Sequence, residues 1–326
     1  MKVAFIGQPE YFRFCYETDL EAEYDVQEFP FTFEMDDQEL ESLVAFNADV
    51  NIFFRGEFFS NTILNRLNGK KIALSSEPFP RYISGKLEYT ADSLQRYIDF
   101  RSRIRQKSFD HVFHYDDASL AFMAKDGLLL SGHFPFPVAT KTYKNYGNEA
   151  RWDLFFIGRS TQHRETFFGR LKHQHNFLHI CHGIFGPPLI EYISSSKICL
   201  NVHAEDEVSW EPRLQMLLAC GAFVISEPIT PNFLLRPGVD YIEAFSQEDM
   251  AEKVAYYLKN ESQRRQIAAS GQARVNELLN ANLCFPKLIS DVLFNRNPRF
   301  TTRPGLAILN GLRFLQKARS RLRSWI

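Results

Sequence analysis

The chain has 326 residues, 45% of them apolar and 24% charged, and a formal net charge of −1. That is the composition of a folded globular chain with room for two domains of about 150 residues each, and it excludes disorder or low complexity as the bulk of the molecule. No apolar run approaches the length of a membrane span, and the opening Met1–Gly7 turns polar at once, so neither a spanning helix nor a signal peptide is expected and the location is read as cytoplasmic.

Apolar strands alternate with helical stretches along the first half. Strands are predicted at Val3–Ile6, Tyr24–Phe29, Val50–Phe54, Lys71–Ser75, His111–His114 and Leu128–His133, with helices at Asp37–Phe46, Ser60–Leu67, Thr90–Gln106 and Ala118–Lys125. Phe134-Pro135-Phe136-Pro137 and the polar stretch 141–150 interrupt the pattern and read as a linker. A second set follows, with strands at Asp153–Ile157, Phe177–Cys181, Ile198–Val202 and Ala222–Ser226. Its helices are expected at Arg164–Lys172, Pro188–Ser195, Pro212–Cys220, Gln247–Leu258 and Glu261–Leu279. Repeated strand–helix–strand units imply parallel sheets covered on both faces, so the fold class is α/β with two doubly wound domains, 1–140 and 141–302. The last stretch, 303–326, carries six basic residues and no acidic one, with apolar residues at helical spacing. It reads as a basic amphipathic helix suited to an anionic membrane surface, or packed back on the protein.

Charge is unevenly placed. Residues 1–150 hold 16 basic and 23 acidic side chains, and the remainder holds 22 and 16, so an anionic partner is expected on the carboxyl-terminal half. No basic strip interleaved with aromatics occurs outside the tail, so nucleic acid is not expected as a partner. The five cysteines are scattered without a Cys-x-x-Cys pair and read as reduced side chains.

The most informative stretch runs from Ile198 to Pro228. Asn201-Val202-His203 closes a buried strand, Trp210-Glu211-Pro212-Arg213 opens a helix, Gly221 ends it, and Ser226-Glu227-Pro228 closes the next strand. The carboxyl ends of parallel strands are where doubly wound domains bind ligands, and a helix beginning there offers free N–H groups to an anion. Gly158 ends the first strand of the second domain, and Arg159 and Arg164 follow it, placed to pair a diphosphate. This is neither a Gly-x-Gly-x-x-Gly fingerprint nor a P-loop, so nicotinamide binding and ATP hydrolysis are poor readings. His173, His175, His179 and His182 alternate across a helix-to-strand boundary without a carboxylate, which speaks against a metal site. A second Ser-Glu-Pro at 76–78 leaves Glu77 at a strand end, where it could orient or deprotonate a hydroxyl. His114, Asp116 and Asp117 compete for that role, and a plain ion pair with an arginine such as Arg81 is the bland alternative.

The order Asn-Val-His, a variable loop, then Arg213-x-x-x-x-Leu218-Ala219-Cys220-Gly221-Ala222 resembles the donor-binding segment of the group 1 glycosyltransferases, in particular the spore-maturation-protein-like branch. His133-Phe134-Pro135-Phe136-Pro137-Val138 resembles the segment that closes the amino-terminal domain there. The resemblance covers much of 105–280 and implies the glycosyltransferase B architecture, two Rossmann-like domains facing across a cleft. It implies transfer of a sugar from a nucleoside diphosphate sugar to a hydroxyl of a glycan or lipid-linked acceptor, with retention at the anomeric carbon and no cofactor. The donor would be held by Gly158, Arg159, Arg164, Asn201, His203, Trp210, Glu211, Arg213, Gln215 and Glu227. Many members carry Glu where this chain has Met216 and Val208, so the ribose contact falls to Glu211 or Gln215. No Asp-x-Asp triplet occurs, and Arg159 and Arg213 would offset the leaving diphosphate's charge without a metal. The alternative is a two-domain protein that binds nucleotide without catalysis, used in sensing or in assembly of a surface structure.

Overall fold

A computed structural model describes residues 1–20, 23–31, 37–230 and 234–304. From residue 305 onward the expected tail helix lies outside the described residues. The first half of the chain runs β1 (Lys2–Gly7), α1 (Pro9–Phe12), β2 (Asp25–Pro30), α2 (Asp37–Phe46), β3 (Val50–Phe54), α3 (Asn61–Arg66), β4 (Lys70–Ser75), β5 (Arg81–Ile83), β6 (Lys86–Glu88), α4 (Ala91–Ile104), β7 (His111–His114), α5 (Leu120–Lys125), β8 (Leu128–Leu129) and β9 (Gly132–His133). The second half runs β10 (Trp152–Ile157), α6 (Gln162–Gln174), β11 (Phe177–Ile180), α7 (Pro187–Ser194), β12 (Ser196–Asn201), α8 (Pro212–Ala219), β13 (Val224–Ser226), β14 (Ile242–Glu243), α9 (Gln247–Lys259), α10 (Glu261–Leu278), α11 (Ala281–Leu293) and β15 (Thr301–Thr302).

Three features depart from the sequence reading. The single strand expected at 128–133 is two, because Gly132 at φ 150° breaks the run. Its halves take different partners, β8 pairing antiparallel with β15 and β9 parallel with β7. A β5–β6 hairpin forms where only a loop was expected. The helix α11 went unassigned because Pro286 sits inside it, where it removes one backbone donor.

The described residues group into two compact units. One takes those within Met1–Ile6, Phe33–Phe134 and Asp291–Ile326, and the other those within Gly7–Thr32 and Pro135–Ser290. Each is assembled from separate stretches, which a division at single points along the chain does not express. In the first unit β1, β3, β4, β7 and β9 lie side by side and pair in parallel. The many phenylalanines are its filling: Phe5, Phe53, Phe54, Phe59 and Phe79 are buried. They meet edge-on or tilted, as in Phe53–Phe59 at 4.8 Å and Phe79–Phe100 at 5.0 Å, the arrangement that aromatic quadrupoles favour.

In the second unit the parallel sheet runs β11-β10-β12-β13-β14. Leu154, Phe156, Ile198, Leu200 and Ile225 project from it into a core closed by Phe168, Leu171, Met250 and Val254. The helix α8 stops where the sequence said it would. Gly221 at φ 70° donates to the Leu218 carbonyl and Ala222 to that of Leu217, the paired bonds of a Schellman ending. Against α8 lies α10, and the close approach is made at Gly271, where an added Cβ would fall 2.4 Å from the Asp240 carbonyl oxygen and 2.8 Å from Leu218. Alanine is favoured over glycine in an isolated helix by about 1 kcal/mol. Here the backbone obstacle outweighs that gain, and Gly271→Ala is expected to destabilise the protein by about 1–3 kcal/mol in denaturant unfolding. Equal or higher stability would show that the two helices can move apart without loss.

Candidate functional site

Strand order locates the site before any side chain is considered. From β10 the chain places β11 on one side and then β12 on the other, so the switch point of this sheet lies outside the carboxyl ends of β10 and β12. Ile157 and Gly158 close the first of these strands, Asn201 and Val202 the second. Gly158 sits at φ 145°, and an added Cβ would meet Arg213 Nη1 at 3.0 Å, Arg164 Nη1 at 3.2 Å and the Phe156 ring at 3.2 Å. Only glycine leaves room for two guanidiniums at this point.

Arg213, on the first turn of α8, is held by the two strand ends. Its Nε donates to Asn201 Oδ1 at 2.9 Å, Nη1 to the Ile157 carbonyl at 3.2 Å and Nη2 to the Val202 carbonyl at 2.9 Å. Arg164, near the start of α6, donates from Nε to the same Val202 carbonyl at 3.0 Å and from Nη1 to the Arg159 carbonyl at 2.8 Å. Both guanidiniums lie over the Phe156 ring, at 4.8 and 5.0 Å from its centre. Burial lowers the pKa of Arg213. Burial first, then the neighbouring Arg213, pushes that of Arg164 down to about 9, so the group stays charged at neutral pH.

Glu211 is the residue before α8 and would normally cap it, but its side chain makes no cap bond. Instead it lies 3.4 Å from Arg213 Nη2 and 3.2 Å from His203 Nδ1, which leaves the first N–H groups of α8 without a side-chain acceptor. His203 is almost fully enclosed, with Nε2 2.7 Å from the Pro228 carbonyl. Its backbone N–H donates to Glu227 Oε2 at 2.6 Å, and the other oxygen of Glu227 is 2.9 Å from His163 Nε2. Asn201 is fixed by donating to Ser226 Oγ at 2.8 Å. Burial opposes ionisation of Glu211, but Arg213 and His203 together outweigh it and hold the carboxyl at about 2. For His203 burial acts downward, and the Glu211 carboxylate more than offsets it, so the ring's pKa is raised.

Gly158, Arg164, Asn201, His203, Glu211, Arg213 and Glu227 therefore lie together at the ends of β10, β12 and β13. Arg159 contributes its carbonyl, while its side chain is exposed and bonded to none of the described residues. Trp210 is buried with its indole N–H unpaired, and Gln215 is fully buried with neither end of its amide bonded. Of the two residues expected to reach a ribose, only Glu211 keeps exposed surface. Glu77, in the other unit, is held by Arg55 at 2.6 Å and by Arg96. Arg81 pairs instead with Asp116 at 3.4 Å, both fully buried, and His114 is enclosed against Ser75. Sequence reasoning gave His163 no role and weighed His179 only as a metal ligand. The first holds Glu227, and Nε2 of the second is 2.8 Å from the Gly158 carbonyl. Among the described residues no group of three or more His, Cys, Asp or Glu is placed to hold a metal ion, and no helix is long and apolar enough to cross a membrane.

The lowered pKa of Glu211 has a definite sign. It contributes stability that is fully present above its unfolded value of about 4.3 and is lost as pH falls through the folded value. Denaturant midpoints from about pH 6 to about pH 2 should fall more steeply for the natural protein than for Glu211→Gln. Parallel curves would remove the carboxylate from the network.

Comparison with known proteins follows this geometry. A family model described as glycosyl transferase-like matches residues 156–281, the stretch that supplies Gly158, both arginines, His203 and Glu227. No curated relative matches by sequence. An alpha-glucosyltransferase in complex with UDP-glucose and DNA shares the fold with a TM-score of 0.57 at 10% identity, covering 90% of this chain and 99% of that one. Sucrose-phosphate synthase from Thermosynechococcus elongatus gives 0.56 at 10% identity, over 90% and 100% of the two chains. A UDP-forming trehalose-phosphate synthase from Burkholderia xenovorans gives 0.53 at 10%, over 90% and 98%. Residues 156–281 thus match a glycosyl transferase-like family model, and the chain shares its α/β fold with these structures.

Proposed function

We propose that the protein is a glycosyltransferase that holds a nucleoside diphosphate sugar on its carboxyl-terminal unit and passes the sugar, with retention, to a hydroxyl of a glycan or lipid-linked acceptor. The observation that carries this is the convergence of Arg164 and Arg213 on one carbonyl, over one aromatic ring, at the switch point of the matched domain. As the glycosidic bond breaks, charge develops on the leaving diphosphate. Guanidiniums already fixed by main-chain carbonyls meet that charge without reorganising. Arg159 is free to close on the outer phosphate, and Glu211 keeps a face for donor hydroxyls. The arginines take the place of a divalent cation in this scheme. One structural neighbour is in complex with UDP-glucose and another is UDP-forming, which supports a uridine donor as the first to try.

Glu77 is given a smaller part than a base. With a guanidinium on each oxygen it can orient an acceptor hydroxyl through its remaining lone pairs but is poorly placed to take its proton. Attachment of residues 303–326 to an anionic membrane would bring a lipid-linked acceptor within reach.

Two measurements test the donor site. Arg213→Ala should leave a folded protein whose affinity for UDP-glucose, or whichever nucleotide sugar stabilises the natural protein, falls roughly ten- to a hundredfold, the cost of a charge-assisted bond of about 1.5–3 kcal/mol. Calorimetry showing unchanged affinity would take Arg213 out of the site. Transfer should also continue in EDTA; loss of turnover that Mg²⁺ or Mn²⁺ restores would show that a metal, and not the arginines, carries the diphosphate charge.

A further inference from the structure

Both ring nitrogens of His203 face oxygen acceptors. Nε2 is 2.7 Å from the Pro228 carbonyl and Nδ1 is 3.2 Å from Glu211 Oε1. A carbonyl cannot donate, and neither can an ionised carboxylate, so each nitrogen must carry its own proton to satisfy its contact. The Ser209 hydroxyl, 3.4 Å from Nδ1, is the more distant of that nitrogen's two neighbours. The ring is 3% exposed, which leaves water little part in this. The charged groups that face it are Glu211, bonded to Arg213, and Glu227, bonded to His163 and to the backbone N–H of His203 itself.

We infer that His203 is a positioning residue: it stands as an imidazolium between Glu211 and the Pro228 carbonyl, and by neutralising Glu211 it leaves the charge of Arg213 available to the donor's phosphates. The inference rests on the donor reading above. Glu211 and Glu227 face the ring, and Arg213 and Arg164 act on Glu211. With His203 neutral these four charges cancel; with it protonated the cluster is net positive, so the attraction for an anion drops when the ring loses its proton. His203 thus acts on the donor through Arg213 without touching it. The raised pKa of the ring agrees with the geometry. The folded state favours the charged ring, so its contribution is complete below the ordinary histidine range and is lost as pH rises through the raised value.

The test uses the full chain with isotopically labelled histidine, followed by NMR from about pH 6 to about pH 9, alongside calorimetric titration of UDP-glucose, whose phosphates stay ionised throughout. Near neutrality His203 should show protons on both nitrogens, and it should lose one at a higher pH than a free histidine. UDP-glucose affinity should fall on the order of tenfold over the same interval, the effect of losing one charge-assisted contact. Glu211→Gln should move the ring's titration to lower pH. His203→Gln, which keeps an amide donor without the charge, should bind more weakly than the natural protein at low pH and show a flat pH profile, a result that a merely structural role would not give. A neutral His203 ring at pH 7 overturns the inference, and so does UDP-glucose affinity that ignores the ring's deprotonation. If neither UDP-glucose nor any other nucleotide sugar binds at any pH, the donor reading itself falls, and the phosphate-holding role with it.

Discussion

One carbonyl oxygen, that of Val202, accepts from two arginines, and the second unit is arranged around that bond pair. Two cationic groups brought to one acceptor repel each other. The repulsion is tolerable only with compensation. The Ile157 and Arg159 carbonyls, the Asn201 amide, the Phe156 ring and the Glu211 carboxylate each supply part of it. Because Glu211 serves Arg213, it does not cap α8, and because Gly158 has no side chain, both guanidiniums can lie beside the strand end. Site and fold are here the same set of contacts.

The strand order explains why such a cluster can exist at all. Parallel strands present their last carbonyls in one direction, and where the order reverses between β10 and β12 no crossover connection covers them. Carbonyls that would otherwise need water become acceptors for arginine. The amino-terminal unit shows a different solution at its strand ends. There Arg81 and Asp116 are paired in full burial beside an enclosed His114, and Glu77 is taken up by Arg55 and Arg96. The same edge of a similar sheet is closed in one case and charged in the other.

Much of this was legible in the chain. The alternation of strands and helices, the helix from Pro212 and its ending at Gly221 all follow from short-range patterns: apolar period, proline at a helix start, glycine at its end. What was not legible depended on neighbours distant in sequence. Nothing local tells that Gln215 turns inward without a partner while Glu211 turns to His203, or that His163 and Glu227, 64 positions apart, share a hydrogen bond. The Leu128–His133 run looked continuous because both halves are compatible with a strand; which strand each half joins is decided by Thr301 and Phe113. The helix containing Pro286 was hidden because its own sequence argues against it, and packing overrode that preference.

The pairing of β15 with β8 sets Thr301 beside Leu129, and Val138 donates to Leu279 while Ala139 donates to Phe14. These contacts join segments synthesised far apart in time. The stretch before residue 32 waits for partners beyond residue 134, and β8 of the first unit waits for β15, past residue 291. Closing loops of that length is slow, since their entropy is lost before the contacts repay it. On a ribosome, therefore, neither unit can reach its final form in isolation as the chain grows. Residues 7–32 are made first and wait, without the rest of their unit, while the whole stretch from 33 to 134 is laid down.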